Sequence, residues 1–237
     1  AHSPQLETLS LNTKAVYTNP GFPTWNEHDE NLHNKKINLP CLRKLSFQDP
    51  ESASWGVSIL EAIDAPNLDI FALQFSDLGG QMDPIAHYIA YGTVADTDSL
   101  PNEPLLYRSI FPALKHLTLV SRFADAIAVD ALLRSLNTIT RLDWQVVIRT
   151  PSPFDSFFTT PGSCLKLEHM RVVGVPADQL IKAINLLTKS GVPLNSVKSM
   201  DWNKYRKSER TQLSQVCEWV GPWSGQIWYD DPDKDGL

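Results

Sequence analysis

Apolar and polar positions along this chain repeat one short pattern, P-x-L-x-x-L-x-L. It reads PQLETLSL from Pro4, PCLRKLSF from Pro40, PNLDIFAL from Pro66 and PALKHLTL from Pro112. Without the proline it continues as ITRLDW from Ile139, LEHMRV from Leu167 and VKSMDW from Val197. Counted from the first Leu, the fourth and sixth positions are always apolar: Leu9/Leu11, Leu45/Phe47, Phe71/Leu73, Leu117/Leu119, Leu142/Trp144, Met170/Val172 and Met200/Trp202. Alternation of period two places such pairs on one face of a strand, pointing into a core. The third and fifth positions then point the other way.

Between these strands the period changes to that of amphipathic helices. The pattern predicts helices over Ser54–Ile63, Pro84–Tyr91, Asp125–Leu136, Ala177–Lys189 and Arg210–Val220. The last two stop at Gly191 and Gly221, residues suited to helix ends. A final edge strand is expected over Gly225–Tyr229. The anchors Leu6, Leu42, Leu68, Leu114, Ile139, Leu167 and Val197 are mostly spaced near the roughly 20–29-residue period of leucine-rich repeats. Units of this kind bury their apolar faces only by stacking on one another. The expected fold is therefore α/β, an irregular leucine-rich-repeat solenoid with a curved parallel sheet and helices on the convex side. It occupies residues 1–229 in about seven units, followed by an acidic tail at 230–237. A doubly wound α/β sheet is the competing architecture. It calls for continuously apolar strands and a Gly-rich turn after the first, and this sequence has neither.

Two intervals exceed the period and hold the segments 13–36 and 79–109. Insertions in repeat arrays map to loops on one face, often the binding face, and are also tolerated as plain surface loops.

If equivalent strands stack side by side, their outward positions form columns about 4.8 Å apart. The third position gives Thr8, Lys44, Ile70, His116, Arg141, His169 and Ser199; the fifth gives Ser10, Ser46, Ala72, Thr118, Asp143, Arg171 and Asp201. Charge gathers in the last three units. The candidate partner-binding residues are Lys44, His116, Arg141, Asp143, His169, Arg171, Asp201 and Asn203. A ligand of mixed polarity, such as a peptide segment or protein substrate, suits that surface. Alternatively Asp143, Arg171 and Asp201 serve only to pair across neighbouring strands.

Composition narrows the function further. The 237 residues are 42% hydrophobic and 20% charged, a globular balance, with a net charge of −6. No run of Lys and Arg is longer than a pair, as at Arg206-Lys207, so a nucleic-acid partner is not expected. No apolar run approaches the roughly 20 residues of a membrane span. Three scattered cysteines, Cys41, Cys164 and Cys217, without a glycosylation motif point to a reducing compartment, cytoplasm or nucleus, with each thiol buried.

Catalytic and metal motifs are weak. Glu27-His28-Asp29-Glu30 with His33 lacks the spacing that puts two His on one helical face. GPWSG, from Gly221, misses the nucleophile elbow by one position. The tail DDPDKDG from Asp230 resembles the start of a calcium loop without its twelfth-position Glu. No enzyme activity, metal or cofactor is expected. Trp144 and Trp202 are expected in the core, and Trp219, Trp223 and Trp228 either close the last repeat or anchor a partner.

Irregular P-x-L-x-x-L-x-L units of variable spacing in a Cys-poor chain resemble the leucine-rich-repeat region of fungal F-box proteins, from Pro4 to about Val220. The resemblance implies a substrate-recruiting role in a cullin ubiquitin ligase, with an F-box segment docked on a Skp-type adaptor. No F-box is visible; the chain opens on a repeat strand, and an uncapped first unit implies that residues precede it. A free-standing leucine-rich-repeat scaffold and an enzyme on an α/β fold are the alternatives. One departure is clear: regular repeats carry Asn three residues after the last motif Leu, and here those positions are Lys14, Pro50, Ser76, Arg122, Val147, Val175 and Tyr205.

Overall fold

The computed structural model describes residues 5–12, 36–50, 52–75, 82–92, 109–121, 126–146, 166–217 and 219–222. The elements in chain order are β1 (Thr8–Asn12), β2 (Ile37–Asn38), β3 (Lys44–Gln48), α1 (Ala53–Ala62), β4 (Ile63–Asp64), β5 (Ile70–Phe75), α2 (Asp83–Tyr91) and β6 (His116–Ser121). There follow α3 (Ala126–Ser135), β7 (Arg141–Val146), β8 (His169–Val173), α4 (Ala177–Lys189), β9 (Ser196–Ser199), a 3-10 turn (Trp202–Lys204), α5 (Lys207–Val216) and β10 (Trp219–Pro222). The fold is mixed α/β. Eight strands form one parallel sheet in the order β1-β3-β5-β6-β7-β8-β9-β10, and β2 pairs with β4 in a small separate ribbon. The main sheet follows chain order throughout. It has no reversal of strand order, the feature that defines a doubly wound sheet.

The motif proline now has a physical role. In Leu39–Leu42, Ala65–Leu68 and Phe111–Leu114 the fourth N–H donates to the first carbonyl, at 3.1, 3.2 and 3.2 Å. Pro40, Pro66 and Pro112 hold the second turn position, where a fixed φ near −65° and a missing N–H cost nothing. Each turn buries its first residue and the anchor Leu, then releases the chain into a strand.

Strand entry is equally regular. The carbonyl of Glu7 accepts from the N–H groups of both Arg43 and Lys44. Arg43 does the same for Asp69 and Ile70, Asp69 for Lys115 and His116, and Lys115 for Thr140 and Arg141. Thr140 then takes Glu168 and His169, and Glu168 takes Asn195 and Ser196. One main-chain arrangement therefore recurs at every junction from β1 to β9, whatever side chains occupy it.

Inward strand residues and helices share one core. Leu45, Phe47, Phe71, Leu73, Leu117, Leu119, Leu142, Trp144, Met170 and Val172 are buried with Val57 and Leu60 of α1, Ile85 and Ile89 of α2, Val129 and Leu132 of α3, Leu180 and Ile184 of α4, and Leu213 of α5. Burying each Leu- or Phe-sized side chain contributes about 1.5–3 kcal/mol. The five described helices thus serve one face of the sheet. Their ends follow local rules: the Ser52 hydroxyl caps α1 by accepting from the Trp55 N–H at 3.1 Å, and Gly92, at φ 72°, ends α2 by donating to the Tyr88 carbonyl.

The C-terminal units differ from expectation. β9 is Ser196–Ser199, so its anchor is Leu194 and its inward residues are Val197 and Ser199, both fully buried. Val197 is not an anchor, Met200 is 43% exposed, and Trp202 lies half-buried in the 3-10 turn. The helix predicted through Val220 ends at Val216, and Trp219–Pro222 forms an eighth strand anchored by Cys217. Gly221 lies within that strand. Segment 79–109 contains helix α2, and its remaining described residues are Met82, Gly92 and Ser109. Segment 13–35, the proposed strand Gly225–Tyr229, Trp223, Trp228 and the acidic tail lie outside the described residues.

Candidate binding face

The parallel register fixes which side chains share the face opposite the helices. Along the strand entries run Thr8, Lys44, Ile70, His116, Arg141, His169 and Ser196. A second column holds Ser10, Ser46, Ala72, Thr118, Asp143, Arg171 and Lys198. A third holds Asn12, Gln48, Gln74, Val120, Gln145 and Val173. The middle column, flanked by the other two, is the most enclosed: Ser46, Ala72, Thr118, Asp143 and Arg171 are all buried.

Asp143 is the centre of the charged part. Its Oδ2 lies 2.9 Å from His116 Nε2, and Arg141 Nε donates to its Oδ1 at 3.1 Å. Arg141 Nη2 reaches Oδ2 at 3.4 Å, and Arg171 Nε on the next strand stands 4.0 Å from Oδ1. The Thr118 hydroxyl is 3.3 Å from His116 Nε2. Burial by itself raises the Asp143 carboxyl, but the hydrogen bond and charge of His116, joined by Arg141, outweigh it and hold the group below the ordinary carboxylate range. One strand further on, His169 Nδ1 pairs with the Ser196 hydroxyl at 2.9 Å, with Glu168 3.7 Å from its Nε2 at the lip of the sheet.

Of the eight sequence-predicted binding residues, the sheet brings together His116, Arg141, Asp143, His169 and Arg171 on adjacent strands β6–β8. Lys44 shares their face but stands on β3, separated from β6 by β5. Asp201 and Asn203 do not belong to the outward columns: Asp201 follows β9 in a turn, and Asn203 is exposed in the 3-10 turn. The three-residue shift of β9 is the reason, and it puts Ser196 and Lys198 in the places read as Ser199 and Asp201. Asp201 has a local structural task. Its Oδ2 accepts the N–H of Gly174, a residue at φ 78°, at 2.6 Å, and its Oδ1 takes Lys204 Nζ at 2.6 Å. Although burial acts to raise it, those two bonds lower its carboxyl pKa.

Three further features were legible by position and were not read. The seventh position counted from the first Leu (or Ile) of each motif forms the third outward column, in which Asn12, Gln48, Gln74 and Gln145 carry amides. Asn12 Nδ2 donates to Gln48 Oε1 at 2.8 Å. The missing Asn ladder is replaced at the turns before the strands: Asn67 Nδ2 donates to the Pro40 carbonyl at 3.0 Å, and the Thr138 hydroxyl reaches the carbonyls of Leu114 at 2.7 Å and Pro112 at 3.2 Å. Both occupy the third position of their turn, so an ordinary turn-residue argument would have found them.

Among the described residues no group of three or more His, Cys, Asp or Glu is placed to hold a metal ion. None of the helices there is long and apolar enough to cross a membrane. The Glu27–His33 cluster, Ser224 and the Asp230–Gly236 run fall outside them. Cys41 is exposed in its turn, contrary to expectation, because the anchor next to it faces the core instead; Cys217 is buried, its thiol 3.2 Å from the Leu194 carbonyl, and Cys164 is not among the described residues. Comparison with protein-family models, curated proteins and solved structures finds no match to this chain.

Proposed function

We propose that this chain is a protein–protein interaction module, an irregular leucine-rich-repeat solenoid whose sheet face opposite the described helices receives a segment of a partner protein. The observation that carries the reading is the repetition of one strand-entry arrangement along a sheet in strict chain order. Such an array produces evenly spaced columns of outward side chains on a scaffold that keeps its register. Here the columns hold hydroxyls, amides and charges, groups that hydrogen-bond a peptide main chain and its polar side chains.

A random peptide library displayed on phage tests this reading. Peptides selected on the chain should lose binding when Gln145→Arg or Gln48→Arg blocks the face, and should keep it when Gln212→Arg alters exposed α5. Failure to select any binder, or binders indifferent to the face variants, would remove the proposal. The role as substrate receptor of an F-box ubiquitin ligase rests on the sequence resemblance. Co-purification of a Skp-type adaptor with the full-length gene product supports it; a full-length product that recruits none is a free-standing scaffold.

A further inference from the structure

The two ends of the main sheet are finished differently. At every junction from β3 to β9 the residue that opens the strand donates its N–H to the strand before it, as Lys44 does to the Glu7 carbonyl and His116 to that of Asp69. Main-chain groups alternate in direction along a strand, so the residue two further on faces the same way. In β1 those two residues are Thr8 and Ser10, and among the described strands none precedes β1. Their N–H and C=O groups therefore form an open edge. The apolar side of that edge is open as well: Leu9 and Leu11 are half-buried, where their counterparts Leu45 and Phe47 are 0% exposed. Sheet edges are ordinarily blunted by charge, proline or brevity. β10 has such a device: its four residues end in Pro222, and the register with β9 turns the missing donor outward. β1 has none. It reads Thr-Leu-Ser-Leu-Asn, five residues without charge, Gly or Pro.

We propose that β1 is the contact of a symmetric dimer, in which a second copy of this chain adds its own β1 in antiparallel orientation. The strand complements itself when reversed, and this selects a second copy as its partner. With Ser10 facing Ser10 of the copy, Leu9 meets Leu11 of the copy, Leu11 meets Leu9, and Thr8 faces Asn12. A two-fold axis through that point makes each contact twice, as an isologous interface requires. The main chain of Ser10 points outward, so the Ser10 pair is of the hydrogen-bonded kind and exchanges two N–H···O=C bonds. The Leu pairs close the exposed end of each core. No like charges meet: the two Glu7 carboxylates lie six residues apart along the paired strands, about 20 Å. That is well beyond the roughly 8 Å over which exposed charges act at physiological salt. The sheet becomes continuous from one copy to the other, with both outward faces turned the same way. The dimer does not depend on what that face binds.

Sedimentation equilibrium of the full chain across a range of concentrations provides the test. The edge is short, so association should be weak, with the mass of one chain at about 1 μM rising toward that of two at about 500 μM. Added salt should not weaken it, because salt screens the −6 that each copy carries. Ser10→Pro removes an outward donor from each copy and leaves the bonds to β3, so the dissociation constant should rise about tenfold. Ser10→Lys sets two like charges face to face and should raise it about fivefold. Urea midpoints at 1 μM establish that both variants are folded. Deuterium uptake at Thr8 and Ser10, followed by mass spectrometry, should slow in the natural chain as its concentration rises. A single chain at every concentration, or a dimer that both folded variants keep, would overturn the proposal. Slow uptake at those two residues already at 1 μM would also overturn it, since another part of the same chain then covers the edge. The phage selection separately decides whether the sheet face binds protein.

Discussion

His116 and Asp143 meet diagonally across neighbouring strands, Nε2 to Oδ2 at 2.9 Å, although the residue directly opposite His116 is Arg141. Diagonal neighbours on a sheet lie within reach of long or aromatic side chains. The contact draws His116 over Thr118 and leaves Arg141 to turn back along its own strand onto the same carboxylate. Three of the sequence-predicted binding residues are thereby joined in one cluster whose carboxylate is buried and whose Arg141 side chain remains partly accessible.

Replacing Asp143 by Asn should be among the most damaging polar substitutions in the chain. The variant keeps the shape but leaves Arg171, 3% exposed, and Arg141 near a neutral amide in a buried setting. Removing one partner of a buried ionic cluster costs about 3–5 kcal/mol. A urea unfolding midpoint displaced by less than about 1 kcal/mol would mean that the cluster is decoration.

Acid should erase part of that difference. The native pKa of Asp143 is depressed, so as pH falls the unfolded chain, with its carboxyl near 3.9, takes up the proton first. The stabilisation by this group is therefore complete above about pH 5 and declines as pH drops through the unfolded and then the native value. The stability gap between the natural chain and Asp143→Asn should narrow steadily below about pH 4. A gap of constant size between neutral pH and pH 3 would show that the carboxylate's charge is not what stabilises the cluster.

Cross-turn side chains should matter in proportion to their burial. Thr138→Ala removes a half-buried hydroxyl bonded to the Leu114 carbonyl at 2.7 Å and should cost about 1 kcal/mol. Asn67→Ala removes an exposed bond to the Pro40 carbonyl and should cost less, about 0.5 kcal/mol. The two sites lie in different junctions, so the double variant should show the sum. Thermal or urea unfolding of the three proteins checks both the order and the additivity.

The ease with which these features could be read from sequence varied along the chain for physical reasons. From Leu42 to Val172 every unit places apolar residues at both inward positions, and strand, turn and register follow from alternation alone. The next unit ends on Ser199, whose inward hydroxyl breaks the pattern. The frame three residues later, Val197-Met200-Trp202, has the same spacing with three large apolar residues, and spacing cannot separate the two. At the end of the chain Leu213, Val216, Cys217 and Val220 fit a helical stripe, yet Cys217 anchors a strand. The polar cluster around Asp143 was legible as a column of charges; its diagonal pairing was not, because which of two cations a carboxylate takes depends on reach between strands.

Ser199 itself allows the register to be tested. Its side chain is fully buried, and its oxygen lies 2.9 Å from the Tyr205 hydroxyl, which donates to the Val175 carbonyl at 2.7 Å. With the tyrosine proton committed to Val175, the Ser199 hydroxyl donates to Tyr205 and accepts from the Asp201 N–H at 3.1 Å. Tyr205→Phe strands a buried carbonyl and a buried hydroxyl together and should cost about 1–3 kcal/mol. Val197→Ala, at a fully buried inward position, should cost about 2 kcal/mol or more, while Met200→Ala, 43% exposed, should stay within about 0.5 kcal/mol of the natural chain. The opposite order, Met200 costly and Val197 nearly silent, would move β9 three residues along the chain. It would also return Asp201 to the outward face, in the column that Lys198 now completes.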